Sequence, residues 1–229
     1  MSAKLTIFNA NLDGEKEPPV GNIIKDRDPV LCVFCEAYHC HDHLLKVANN
    51  NGYVLKQYGK SEGAEAPGIA LLVRDDWKID NRSPMKMKEA WWFNGNKRQP
   101  RVYVKLLVVD ADLPGDLNWK IVAVHFPPGG PDGGGSNTGG KNKKAWMESR
   151  DRTIEYGNGH PEGPYLIVGD INATHDETAQ QFNERLDGKT VVRDVGKVDH
   201  LIGRKVDCTA DRIDPPVGHG WGIFKVTAL

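Results

Sequence analysis

The stretch from Pro164 to Thr174 reads P-Y-L-I-V-G-D-I-N-A-T. Its apolar run, Tyr165-Leu166-Ile167-Val168, predicts a strand buried on both faces. Gly169 ends that strand, and Asp170 and Asn172 follow where it passes into a loop. Two residues apart on extended backbone, a carboxylate and an amide point to the same side and can converge on one phosphate or one water. An Asx turn after a core strand uses the same D-x-N pattern. Four other stretches supply the remaining parts of one site, and they favour the functional reading.

A chain of 229 residues can bury a sizeable core, and the simplest reading is a single domain over residues 1–229. The formal net charge of -1 excludes a strong global attraction to nucleic acid or to an acidic membrane, so a polyanion must be held by a local patch. No apolar stretch approaches the length of a membrane span, and the start M-S-A-K-L-T-I-F-N lacks the apolar core of a signal peptide. The expectation is a soluble cytoplasmic protein, monomeric, with no membrane partner.

Cys32, Cys35, Cys40 and Cys208 raise the question of a zinc module, because C-V-F-C-E-A-Y-H-C-H-D-H contains both thiols and imidazoles. There is no second C-x-x-C pair, and Cys32 and Cys35 lie in the apolar run V-L-C-V-F-C, where small thiols fill strand positions. Reduced structural thiols are the favoured reading over a zinc site built from Cys35, Cys40 and His39, His41 or His43.

Leu5 to Leu12 alternates apolar and polar residues as a strand ending at Asn9 or Asn11, and V-L-C-V-F-C after Pro29 delivers Glu36 at its far end. Packing alone does not account for that carboxylate. Further strands are expected at 53–58, 68–74, 77–82, 101–109, 117–126, 190–195 and 197–203, with a last one over W-G-I-F-K-V-T-A-L. Helical patterns appear near 42–49, 144–156 and 176–186, with Asp42 and Asp176 as caps. Many strands with few helices make an α+β pattern with two sheets. Residues 127–144, P-P-G-G-P-D-G-G-G-S-N-T-G-G-K-N-K-K, have the composition of a mobile Gly-rich loop. It reads either as a cationic flap over a bound anion or as a solvated insertion.

Taken in order, F-N-A-N-L, F-C-E-A, P-G-I-A-L-L-V-R, A-V-H-F-P-P, V-G-D-I-N-A, K-V-D-H-L-I and G-H-G-W-G-I-F-K-V resemble the endonuclease/exonuclease/phosphatase superfamily, which includes pancreatic deoxyribonuclease and the exonuclease III-like enzymes. The resemblance spans nearly the whole chain. It implies a four-layered α/β/β/α sandwich of two mainly antiparallel sheets flanked by helices, with the site at one end of the paired sheets. It also implies that Glu36, with Asn9 at its side, holds a divalent cation; oxygen donors without a thiolate favour Mg²⁺ or Mn²⁺ over zinc. Asp170 matches the residue that orients and deprotonates the attacking water, and Asn172 the group that steadies it or a phosphate oxygen. Asp199 matches an Asp that either binds a second metal or helps protonate the leaving oxygen. His125 resembles the histidine beside the leaving group in the deoxyribonuclease type, its acidic partner not located and Glu65 a weak candidate. Arg98 resembles a phosphate-contacting arginine, with Arg101 as its rival.

The chain departs from the family at its end. The family motif is S-D-H, whose Asp is expected to accept a hydrogen bond from the histidine. Here the triplet is Val217-Gly218-His219, and Gly218 carries no charge. Three outcomes are open: another carboxylate such as Asp214 takes over, His219 acts as a neutral donor, or activity is weak.

The implied activity is divalent-metal-dependent phosphodiester hydrolysis, most simply by a nuclease acting on DNA or RNA. Lys86, Lys88, Arg98, Arg101, Lys141, Lys143 and Lys144 are candidates for a cationic track, and Trp91 and Trp92 for stacking surfaces. The alternatives are a catalytically impaired member that binds nucleic acid or a protein, or a hydrolase of small phosphate esters. His160, His175 and His200 are read as surface or supporting residues.

Overall fold

Alternation along the strands sorts side chains into layers. In β1 (Lys4–Asn11), Leu5 and Ile7 join one apolar cluster while Phe8 and Ala10 join another. In β2 (Leu31–Cys35), Leu31 and Val33 are divided in the same way from Cys32 and Phe34. In β10 (Asn118–His125), Trp119, Ile121 and Ala123 enter the first cluster, whereas Val122 and Val124 enter a third. In β11 (Tyr165–Asp170), Leu166 and Val168 separate from Tyr165 and Ile167 by the same rule. The first cluster is therefore the seam between two sheets packed face to face.

The computed structural model describes residues 4–37, 39–58, 68–81, 85–86, 90–94, 97–101, 104–112, 118–132 and 141–229. One sheet includes β3 (Tyr53–Tyr58), β4 (Ile69–Arg74), β14 (Val206–Arg212) and β15 (His219–Ala228), in the order β14-β15-β1-β2-β4-β3. The other includes β5 (Lys78–Asn81), β9 (Val104–Asp112), β12 (Thr190–Asp194) and β13 (Asp199–Arg204), in the order β12-β13-β11-β10-β9-β5, and β6 (Met85–Lys86) also pairs with β9. The pairs β1–β2 and β10–β11 are parallel, and the remaining described pairs are antiparallel. A separate ribbon joins β7 (Ala90–Asn94) to β8 (Lys97–Arg101).

Helices α1 (Val20–Arg27) and α2 (His41–Asn51) cover the outer face of the first sheet through Val20, Ile24, Leu44 and Val47. Helices α3 (Lys141–Asn158) and α4 (His175–Asn183) cover the second through Trp146, Ile154 and Phe182. The result is the expected α/β/β/α sandwich. The far end of α3 is fastened by buried Arg204, whose guanidinium donates to Gly157 O at 2.9 Å and to His160 O at 2.6 Å. A cation suits the negative end of a helix.

Several local expectations change. Cys40, not Asp42, precedes α2, and Asp42 sits in its first turn. Thr174, not Asp176, caps α4, through a reciprocal box with Glu177. Of the Gly-rich segment, residues 133–140 lie outside the described residues, and Lys141, Lys143 and Lys144 belong to α3. Ile23 and Ile24 belong to helix α1, and V-D-C-T-A-D-R forms the edge strand β14.

Gly169 shows how tightly the central strands approach. Its φ is +139°, and a Cβ there would lie 2.0 Å from Val124 O on the neighbouring β10. Gly169→Ala is expected to lower the unfolding free energy by more than about 2 kcal/mol. The measurement is the urea midpoint at unchanged slope, and a wild-type midpoint would contradict this packing.

Candidate active site

The seam between the sheets is apolar until it reaches one end, where the same inward rows continue in polar residues. After Leu5 and Ile7, β1 places Asn9 and Asn11; after Trp119, Ile121 and Ala123, β10 places His125. After Leu166 and Val168, β11 places Asp170, and β13 brings Asp199 in line with Leu201. Register aligns them, since His125 pairs with Asp170 across β10–β11 and Asp170 with Asp199 across β11–β13. Glu36 follows β2, whose Cys35 pairs with Asn11. Residues distant in the chain thus meet because parity and register are satisfied together.

Asn11 ties two of the acids. Its Nδ2 donates to Glu36 Oε1 and to Asp170 Oδ2, both at 3.2 Å, while its Oδ1 accepts from the Asp13 amide at 3.0 Å. His125 Nε2 lies 3.5 Å from Asp170 Oδ2 and 3.8 Å from Glu36 Oε1. Asn9 belongs to the opposite side of the site, donating to Asp199 Oδ1 at 3.3 Å and to Gly220 O at 3.0 Å. The amide beside Glu36 is therefore that of Asn11, which sequence reasoning noted only as a strand end. The second Asn of F-N-A-N-L was the available signal, two residues on and so on the same face.

His219 finds its carboxylate in Asp199. Nδ1 lies 2.6 Å from Asp199 Oδ2, and Nε2 lies 3.9 Å from Asp170 Oδ2. Asp214, the substitute suggested by sequence, is exposed, and the charge missing at Gly218 is not needed for this pair. Gly218 is fixed by space: its φ is +60°, and a Cβ would come within 2.2 Å of Asn11 O. An Asp at this position would collide with the strand that carries Asn11.

The D-I-N-A-T loop is held at almost every peptide. Ile171 N donates to Val198 O and Asn172 N to Asp170 Oδ1, each at 2.8 Å. Asn172 Nδ2 donates to Phe126 O at 2.8 Å, and Asn172 has φ +53°. Asn accepts this left-handed conformation more readily than most residues. Behind the loop, His200 is fully buried on the outer face of β13, its Nε2 2.8 Å from Ala173 O. A carbonyl only accepts, so Nε2 carries the hydrogen, and burial lowers the pKa of this neutral ring. His200 is thus a structural support of the loop, whereas His175 and His160 lie nearer the surface.

Among the other expected residues, Lys143 and Lys144 are exposed in the first turn of α3. Arg98 and Arg101 lie on β8, and their side chains, like Glu65 and Lys88, lie outside the described residues. The cysteines are all buried and free. Burial, with Asp170 and Asp199 close by, pushes the Cys35 thiol well up, and burial pushes Cys40 up to about 11. Among the described residues, the group able to share a metal is Asp170, Asp199 and His219, and it contains no cysteine.

The donor set fits a hard divalent cation. Glu36, Asp170 and Asp199 bring carboxylates to one place, and the buried Asn9 Oδ1 has no hydrogen-bond partner among the described residues. Several oxygens, no thiolate and an excess of negative charge match Mg²⁺ or Mn²⁺ chemistry. Glu36, at φ +54°, is held at the rim by the Gly14 amide donating to its carbonyl at 3.1 Å.

Two effects oppose at His219: burial lowers its pKa, while the hydrogen bond and charge of Asp199 raise it. The partner wins, and the pKa rises to about 9. Because the folded value lies above the unfolded value of about 6.5, the pair stabilises fully below pH ~6.5 and loses that contribution as pH rises through about 9. An imidazole titration by NMR in chelator should give a His219 midpoint near 9, moved towards the ordinary value in Asp199→Asn; an ordinary midpoint in wild type would refute the pairing. In addition, His200→Phe, which leaves Ala173 O without its donor, is expected to lower the unfolding free energy by about 1–3 kcal/mol in urea melts.

No protein-family model matches the chain, and no curated protein matches it in sequence. Solved structures do match it. An endonuclease/exonuclease/phosphatase family protein from Bacteroides thetaiotaomicron superposes with a TM-score of 0.62 at 15% identity, covering 100% of this chain and 99% of that one. The endonuclease domain of TRAS1, a telomere-specific non-LTR retrotransposon, gives 0.64 at 13% identity, covering 98% of each chain. The human Nocturnin catalytic domain with bound sulfate gives 0.64 at 12% identity, covering 99% of this chain and 95% of that one. Layer order, sheet pairing and near-complete mutual coverage together assign the chain the endonuclease/exonuclease/phosphatase fold.

Proposed function

We propose that this protein is a divalent-metal-dependent phosphodiester hydrolase that acts on nucleic acid. The observation that carries this reading is the convergence of Glu36, Asn11, Asp170 and the Asp199–His219 pair at one end of the inter-sheet seam. The similarity to the TRAS1 endonuclease domain supports nucleic acid as the substrate class.

Asp170 is the proposed base. One of its oxygens accepts from the Asn172 amide and the other from Asn11, so the carboxylate is oriented before substrate arrives. Asn172 has one side-chain N–H committed to Phe126 O, which makes it a support for Asp170 and for the loop. His219, protonated below pH ~9, keeps Nδ1–H on Asp199 and offers Nε2–H to a phosphate oxygen. A cationic donor fixed by a carboxylate stabilises negative charge as it develops on the phosphoryl group. His125 is the proposed proton donor on the leaving side, facing Glu36 and Asp170.

Glu36, beside Asp170 and oriented by Asn11 Nδ2, would hold the Mg²⁺ or Mn²⁺. The bound ion would supply charge neutralisation and a more acidic water. Lys143 and Lys144 are proposed phosphate contacts from the start of α3, which the buried Asn142 side chain ties to Pro128 O at 3.2 Å. Arg98 and Arg101 are proposed phosphate contacts from β8.

Hydrolysis of plasmid, single strands, RNA and a chromogenic phosphodiester should require Mg²⁺ or Mn²⁺ and stop with chelator. Asp170→Ala should lower turnover by about 10²–10⁴-fold, and Glu36→Gln should raise the metal concentration required. Turnover that survives both Asp170→Ala and chelation would rule out the mechanism. Binding of nucleic acid without any turnover would instead favour a binding module.

A further inference from the structure

Trp146 follows Asn142 by one turn of α3, and both side chains reach from the same face of the helix to loops that border the site. Asn142 Nδ2 donates to Pro128 O at 3.2 Å, and Trp146 Nε1 donates to Ile171 O at 2.6 Å. The indole is fully buried in the third apolar cluster, with the Phe126 ring edge-on at a centroid distance of 5.5 Å. Packing accounts for an aromatic ring at this place. It does not account for an N–H aimed at the loop, since a phenylalanine would fill much of the same space and leave buried Ile171 O without this donor.

What that donor holds is one peptide. Ile171 O and Asn172 N belong to the same planar trans unit, so the carbonyl and the N–H point in opposite directions. The carbonyl faces Trp146, and the N–H faces Asp170 Oδ1 at 2.8 Å. Fixing one end therefore aims the other. The unit needs fixing, because Asn172 is held at φ +53°, and turning the peptide over would return it to the commoner negative φ. In the turned-over peptide the amide leaves Asp170 and a carbonyl oxygen comes towards the carboxylate in its place. The other bonds of the loop lead back to the same ring pair: Asn172 Nδ2 donates to Phe126 O and Phe126 N to Asp170 O, each at 2.8 Å.

We infer that Trp146 is a positioning residue for the proposed base: its indole N–H locks the Ile171–Asn172 peptide in the orientation that keeps the Asn172 amide on Asp170. The inference rests on the hydrolase reading for its consequence in turnover. Trp146 touches neither substrate nor metal, so its effect is on how often Asp170 is correctly aimed. A loss of aim lowers kcat and leaves ground-state binding of substrate as it was.

The test compares the full chain with Trp146→Phe by two readouts. In chelator, NMR hydrogen exchange at the Asn172 amide should be faster in the variant by about 5- to 10-fold, with the β11 amides from Leu166 to Val168 unchanged. With Mg²⁺ and a chromogenic phosphodiester, kcat should fall by about 10- to 10²-fold while KM stays within about twofold. Should Trp146→Phe fail to fold, benzothienylalanine at position 146 keeps the shape of the ring without the N–H and should give the same two changes. In wild type, the indole N–H of Trp146 should exchange slowly and show a through-bond coupling to the Ile171 carbonyl carbon, and absence of that coupling would overturn the inference whatever the variants do. So would an Asn172 amide that exchanges as in wild type, a kcat that does not change, or a rise in KM alone. A wild-type chain that hydrolyses nothing removes the hydrolase reading, and the amide comparison then still decides whether Trp146 holds the peptide. Turnover by wild type that the variants match removes the inference alone.

Discussion

The site depends on one geometric constraint, the register that places His125, Asp170 and Asp199 side by side across β10, β11 and β13. Each is the last inward residue of a row that began in the apolar seam. Shifting any strand by one residue would turn its row over, sending the acids into the helix layer and hydrophobic residues into the cleft. The apolar core and the polar site are therefore specified by the same pairing. Stability of the seam and geometry of the site rise and fall together.

Carboxylates so close together require compensation, and the structure supplies it in two ways. Neutral amides separate the acids: Asn11 stands between Glu36 and Asp170, and Asn9 holds Asp199. Positive charge meets them at His219, which Asp199 keeps protonated at neutral pH. One imidazolium does not balance Glu36, Asp170 and Asp199, and the remaining negative charge is what makes the place hospitable to a divalent cation. The replacement of an expected Asp by Gly218 reduces the acidity of the site by one carboxylate. It also allows the backbone before His219 to lie against Asn11, an approach that a side chain would forbid.

The loop that carries Asn172 is the counterpart in backbone terms. A non-glycine residue at positive φ is expected to cost about 1–3 kcal/mol. The hydrogen bonds to Val198 O, Asp170 Oδ1, Phe126 O and His200 each contribute on the order of 1 kcal/mol and together offset it. Their effect is rigidity: Asp170 meets the cleft from a frame braced by two sheets and by α4, whose cap at Thr174 closes the loop. Such bracing suits the role of base proposed for Asp170.

The sequence by itself determined most strands around the site and an α+β pattern, from apolar runs, period-two alternation and polar residues at strand ends. The four-layered sandwich and the grouping of Glu36, Asp170, Asn172, Asp199 and His219 were implied by the family resemblance, not by those local signals. Only the tertiary structure decided who partners whom. Asp199 rather than Asp214 or position 218 faces His219, and Asn11 rather than Asn9 stands beside Glu36. Likewise His200, read from sequence as a surface or supporting residue, has its partner, Ala173 O of the D-I-N-A-T loop, fixed only by the fold. The placement of the β7–β8 ribbon was equally invisible, because its root is a long-range pairing between β6 and β9. The physical reason is common to all: alternation tells which way a side chain points along its own strand, but contact also needs the register between strands, which is a property of the assembled sheets.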